Sequence, residues 1–100
     1  MYDRKNLQKF NKLGELAPAA FKGFVAFDQA AFADGVIPLK YKELMAVAVA
    51  LTTQCPYCIE IHATKAKKAG ATEQELAETT LVAAALRAGG AMTHGTHTLE

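Results

Sequence analysis

One hundred residues bound the chain to one small domain, with too little length for two cores. Acids and bases are interspersed at a formal net charge of +1, which leaves no basic stripe for nucleic acid and implies no electrostatic partner. Counting glycine and leaving out tyrosine, 55 of the 100 residues are apolar, above the ordinary ~45–50%, yet no run approaches the ~18 apolar residues of a membrane span.

Alanine supplies 20 of the hydrophobic residues, and it is the best helix former and lets helices approach closely. The chain therefore reads as all-α, with part of its surplus apolar surface covered by another copy of itself. Asp3 is placed to cap a first helix running to about Leu16, with Leu7, Phe10 and Leu13 along one face, as in a lid or interface helix. The opening residues contain no signal-peptide hydrophobic region, so a cytoplasmic setting is expected, where a two-cysteine motif is more often catalytic or metal-binding than a structural disulfide.

Pro18 opens a second helix ending near Gly35. Its stripe of Phe21, Phe24, Phe27 and Ala31 is most simply core, and a substrate wall or subunit contact is the sharper alternative. Pro38 starts a third helix, whose run Leu44 to Leu51 is apolar on every side, as in a helix buried all round. Glu43, just before that run, is either a solvated first-turn acid or a carboxylate facing inward; taken alone, the solvated reading is the simpler one.

Both cysteines follow, in Gln54-Cys55-Pro56-Tyr57-Cys58-Ile59-Glu60-Ile61-His62. Proline is favoured at the first helical position, so Pro56 is a natural N1, Cys55 its N-cap and Cys58 the N3 residue, with His62 one turn beyond Cys58. The arrangement reads as a dithiol active site. A free thiol titrates near ~8.5, and lowering that to ~6.5 takes about 2.7 kcal/mol, whereas a helix N-terminus gives roughly 0.3–1 kcal/mol. The imidazole of His62 can supply the remainder, which favours Cys58 as the activated thiol. Thioredoxin-like motifs argue the other way, for Cys55.

The active-site helix runs to Ala69 and stops at Gly70, with Lys65, Lys67 and Lys68 in its last turns. Thr72 and Glu75 form a capping box for a fifth helix, which Gly89-Gly90 is expected to stop or kink. The tail, 91–100, is weakly patterned and ends in a Leu-Glu of the kind that expression vectors leave; His94 and His97 receive no catalytic role. If the third and fourth helices turn near Thr53-Gln54, Glu43 lies about 16 Å before the turn and His62 about 12 Å after it, close enough for a chain of thiol, base and orienting carboxylate.

Glu43, then Cys55-Pro56-Tyr57-Cys58, then His62 resembles the active-site signature of the alkylhydroperoxidase (AhpD-like) branch of the carboxymuconolactone decarboxylase family. The resemblance rests on the twelve-residue step from Glu43 to Cys55 and the four-residue step from Cys58 to His62, and it covers residues 15 to 90 or so. It implies an all-helical AhpD-like domain of five to six helices around a buried central hairpin, assembled as a homotrimer or homohexamer. It also implies a peroxide-reducing dithiol needing no cofactor: Cys58 attacks a small alkyl hydroperoxide, Cys55 resolves the product as a disulfide, His62 and Glu43 relay protons, and a thiol or dithiol reductant reopens the pair. Tyr57 stands where some alkylhydroperoxidases carry a second histidine. Two other readings stand beside this one. A carboxymuconolactone decarboxylase-like lyase would not need the cysteine pair, and a zinc-binding module on Cys55, Cys58 and His62 would want a fourth ligand, from Glu43 or His94.

Overall fold

The computed structural model describes residues 2–100. Among them the regular structure is all helical, with five α-helices, two short 3-10 segments and no strand. The chain divides into two compact units, Met1–Leu39 and Lys40–Glu100.

In the first unit the expected single helix from Asp3 is two pieces. The Asp3 carboxylate accepts from the Lys5 N–H at 2.9 Å and caps a 3-10 segment, Arg4–Lys9, which runs into helix α1, Phe10–Leu16. Ala17 breaks the path at φ −136°, and Pro18 opens α2, Pro18–Phe32, as its N1 residue. Phe10 meets Phe21 edge-on at 5.4 Å between ring centroids, an arrangement worth about 0.5–1.5 kcal/mol beyond its buried area. A Cβ on Gly14 would come within 2.7 Å of the Phe21 ring, so the missing side chain is what lets α1 lie this close to α2. The rest of the phenylalanine stripe is not core within this unit: Phe24 is 52% and Phe27 72% exposed. The stripe outruns its cover, because α2 is fifteen residues long and α1 only seven. Helix α2 also ends earlier than expected, at Phe32, where Ala33 turns extended at ψ 146°.

The second unit holds α3, Leu39–Thr53, which begins at the unit boundary, then α4, Pro56–Lys68, and α5, Glu73–Gly95. Asp34 accepts from the Leu39 N–H at 2.6 Å, supplying a partner to a helix start that would otherwise leave the donor bare. The buried apolar residues are small: Val47 and Ala50 on α3, Ala66 on α4 and Ala83 on α5. The buried apolar residues of this unit are thus alanine and valine, with no large side chain fully buried among the described residues. Helix α3 is not buried all round. Its inward stripe is Glu43, Val47 and Ala50, spaced four and three residues, while on other faces Met45 is 50% and Val49 60% exposed.

Helices α3 and α5 run side by side in register. Lys40 Nζ meets Glu75 at 2.9 Å near their N-terminal ends, and the Arg87 guanidinium on α5 donates to the Thr52 carbonyl near the end of α3. Both contacts join residues 35 apart, so the two helices are parallel over the twelve-residue span between them. An apolar groove of about 350 Å³ lies along this pair, lined by Tyr41, Leu44, Met45, Ala48 and Val82 among others.

At the far end of α4, Gly70 adopts φ 100°; its N–H donates to Lys67 O at 3.0 Å, and the Ala71 N–H donates to Ala66 O at 2.9 Å. This is a Schellman closure with glycine at the left-handed position. Thr72 and Glu75 then cap α5 reciprocally, as the sequence indicates. Gly89-Gly90 does not stop α5, which continues to Gly95 and takes in the first part of the weakly patterned tail. A glycine inside a helix costs about 1 kcal/mol but removes no hydrogen bond, unlike proline, so the ladder passes through both.

Candidate active site

The site is built at the turn between α3 and α4. Gln54 takes a left-handed conformation at φ 55°, and the Cys55 N–H reaches back to Ala50 O at 3.1 Å, which closes the C-terminus of α3. Cys55 is therefore the residue that finishes one helix, and it also starts the next. As N-cap of α4 it is extended at φ −98°, its carbonyl accepts from the Ile59 N–H at 2.9 Å, and its sulfur accepts from the Cys58 N–H at 3.3 Å. Pro56 follows at N1, as the sequence indicates. The N–H, carbonyl and side chain of Cys55 are thus all held.

Cys55 and Cys58 are joined as a disulfide, with Cα atoms 5.3 Å apart, inside the usual 4.4–6.8 Å range. Both are half-buried. A two-residue gap across the first turn of a helix brings the sulfurs together without bending the backbone, because Cys55 is still extended while Cys58 is already helical.

His62 stands one turn past Cys58 on the same helix, roughly 5–6 Å away at Cβ. Its Nδ1 lies 2.7 Å from Glu43 Oε1, across the turn and nineteen residues back in the chain. The two side chains are 19% and 5% exposed, so Glu43 is the inward-facing carboxylate and not a solvated first-turn acid. A carboxylate only accepts, so Nδ1 is the donor, and a neutral His62 then carries its basic lone pair on Nε2. Burial of a carboxylate is costly without a partner. Here the imidazole provides one, and among the described residues no buried side-chain N or O lacks a hydrogen bond.

The four sequence-derived residues therefore fall in two contacting pairs, Cys55 with Cys58 and Glu43 with His62, linked by the i, i+4 step from Cys58 to His62. Tyr57, between the cysteines, is half-buried. His94 and His97, with ring centroids 5.5 Å apart, sit together at the end of α5 and in the 3-10 segment after it. Among the described residues no three His, Cys, Asp or Glu side chains are placed to hold a metal ion. The described helices include none long and apolar enough to cross a membrane.

Two participants are not legible in the sequence. Gln54 in the left-handed region carries no composition signal, since glycine or asparagine is the ordinary occupant. Arg87 reads as a helix-surface cation until the 35-residue register of α3 and α5 places it at Thr52.

The carboxymuconolactone decarboxylase family model matches residues 18–100. The uncharacterized protein 4 of the cox locus of Paracoccus denitrificans is 43% identical over 90 residues, spanning 87% of this chain and 81% of that one. A carboxymuconolactone decarboxylase family protein from Legionella pneumophila superposes with a TM-score of 0.79 at 36% identity, over 83% of this chain and 74% of its own. A protein from Methanobacterium thermoautotrophicum superposes at 0.81, also at 36% identity, over 86% of this chain and 97% of its own. With the match covering all but the first seventeen residues and the helical fold shared, the chain belongs to the carboxymuconolactone decarboxylase family, and its cysteine pair accords with the alkylhydroperoxidase branch.

Proposed function

We propose that this chain is a thiol-dependent reductase of small alkyl hydroperoxides. The observation that carries the reading is the Glu43–His62 hydrogen bond of 2.7 Å beside the cysteine pair, which gives a thiol a base and the base an orienting carboxylate. In the reduced protein His62 accepts the Cys58 proton through Nε2, with Glu43 fixing the ring. The Cys58 thiolate attacks one peroxide oxygen, the O–O bond breaks, and the departing alkoxide takes from His62 the proton that came from Cys58, to leave as an alcohol. Cys58 is then a sulfenic acid. Cys55 gives its proton to His62 and its thiolate attacks that sulfur; hydroxide leaves as water with that proton returned by His62, and the disulfide forms. Two electrons have passed from the thiols to the peroxide. A thiol or dithiol reductant reopens the bond, in a reducing compartment such as the cytoplasm.

The N–H of Cys58 aimed at the Cys55 sulfur favours a division of labour. A hydrogen bond to a thiolate strengthens with its charge, so Cys55 is the better leaving group when the reductant attacks Cys58. The same contact supports the competing assignment, with Cys55 as the thiol that meets peroxide first. A sulfenate-selective probe on Cys55→Ser and Cys58→Ser proteins separates the two. Label on Cys58 in the Cys55→Ser protein supports the mechanism; label on Cys55 alone, in the Cys58→Ser protein, reverses it.

The cysteine pair is also what favours peroxide over a lactone substrate, since lactone decarboxylation has no step for a dithiol. Exposed Met45 and Val49 on α3 and Leu81, Val82 and Leu86 on α5 support assembly of the chain into a homotrimer or homohexamer. Light scattering at micromolar concentration tests this, and a mass near 10.7 kDa removes it.

A further inference from the structure

We propose that Arg87 is a positioning residue for the cysteine pair: by holding the end of α3 and placing a cation there, it favours the thiolate form and makes the Cys55–Cys58 disulfide easier to reduce. The pair sits where two helix ends of opposite sign meet. The N-terminus of α4 begins at Cys55 and stabilises negative charge, while the C-terminus of α3 ends two residues earlier, at Thr53, and opposes it. Among the last carbonyls of α3, that of Ala50 is taken by the Cys55 N–H and that of Thr52 by the Arg87 guanidinium.

Arg87 therefore acts at the negative helix end directly preceding the cysteines. Thr52 is three residues from Cys55, within about 11 Å even for extended chain, which is near one Debye length at 0.1 M salt. A charge at a helix end shifts an equilibrium by roughly two- to fivefold. The hydrogen bond also secures the turn in which Gln54 is left-handed, so the same residue fixes both where Cys55 sits and the field it feels. Nearest the cysteines along the chain, the other titratable groups are Tyr57, Glu60 and His62 on α4, with Glu43 of α3 against His62; these and the remaining charged groups of α3, α4 and α5 all stay in place in the variants below, so the share of Arg87 is read by difference.

The inference rests on the proposed function only in taking the pair as one that cycles between disulfide and dithiol, and its test uses no peroxide. A protein without peroxidase activity would leave it standing. The purified full chain is equilibrated with the reduced and oxidised dithiothreitol couple, in which the protein disulfide gains two electrons and two protons as the dithiol closes to its cyclic disulfide. The pH dependence of iodoacetamide alkylation then gives the titration of the reactive thiol. Arg87→Met is expected to make the disulfide about threefold harder to reduce and to raise the thiol titration by about half a pH unit. Arg87→Gln, which keeps an N–H donor and loses the charge, is expected to do the same, and it carries the test if the methionine variant does not fold. Arg87→Lys is expected to stay near wild type. Unchanged equilibrium and titration in the glutamine variant, or a lysine variant shifted as far as the glutamine one, overturns the proposal.

Discussion

Helix α4 is bounded by two turns that close with the same long hydrogen bond, from the residue after a left-handed one back to the carbonyl five residues earlier. At the C-terminal end the left-handed residue is Gly70, and the next helix has its own cap two residues on, at Thr72. At the N-terminal end it is Gln54, and the next residue, Cys55, both completes the closure and caps α4. One turn thus uses separate residues of suitable chemistry for separate tasks, and the other merges the tasks on a cysteine and accepts a side chain where glycine fits better. The merged turn is the one that carries the candidate site. A residue in the left-handed region without glycine costs about 1–2 kcal/mol, and the fixed position of Cys55 is what that strain accompanies.

The largest expected effect breaks the site side of this comparison. His62→Ala is expected to slow peroxide turnover by about a hundredfold and Glu43→Gln by about tenfold, with the double variant little worse than His62→Ala, because residues acting as one unit are not additive. Steady-state rates across pH check this; an unaffected Glu43→Gln protein would reduce the relay to Cys58 and His62. Gly70→Gln comes next. It has no neighbour within 4 Å at its Cβ, so its cost is the backbone term alone, about 1–2 kcal/mol in urea unfolding, with turnover of the folded protein unchanged.

The reciprocal change, Gln54→Gly, sharpens the contrast. Relief of strain is offset by the greater freedom of glycine in the unfolded chain, so stability is expected to change by less than about 1 kcal/mol. The smallest effect concerns the Lys40–Glu75 pair beyond the Gly70 turn. The Thr72 backbone N–H, together with Lys40, holds the Glu75 carboxyl below its ordinary 4.5, and Glu75 raises Lys40 above its ordinary 10.5. Glu75 therefore contributes stability above pH 4.5 that is lost as pH falls through its lowered value, and Lys40 contributes below pH 10.5 and loses it as pH rises through its raised one. The stability difference between wild type and Glu75→Gln, which retains the capping geometry, is expected to persist at neutral pH and vanish in acid; a difference constant into acid would assign it to the cap instead.

Much of the site was legible because it is local. Pro56 after Cys55 fixes a helix start, and the two cysteines and His62 then follow by helical spacing. Glu43 was legible only as one of two orientations, since facing inward depends on which side of α3 meets α4, and an all-apolar neighbourhood from Leu44 to Leu51 has no periodicity to show it. The same uniformity made α3 read as buried all round and left Met45 and Val49 unmarked as exposed. The phenylalanine stripe of α2 failed for a related reason: spacing shows that Phe21, Phe24 and Phe27 share a face but not how far the covering helix extends. Gly89-Gly90 misled because glycine weakens a helix without breaking it.

The parallel register of α3 and α5 has a consequence for how this chain tolerates change in length. Lys40 to Thr52 and Glu75 to Arg87 are equal twelve-residue steps, each about 18 Å of helix. Deleting one residue inside either step rotates the far contact by about 100° and shifts it about 1.5 Å, enough to lose it, unless the other step is shortened to match. Helix α4 is held to α3 at His62, by Glu43, and the stretch from there to the Gly70 turn lies outside the two matched steps. Length variation is expected to collect between Lys67 and Thr72, while the two twelve-residue steps change together or not at all.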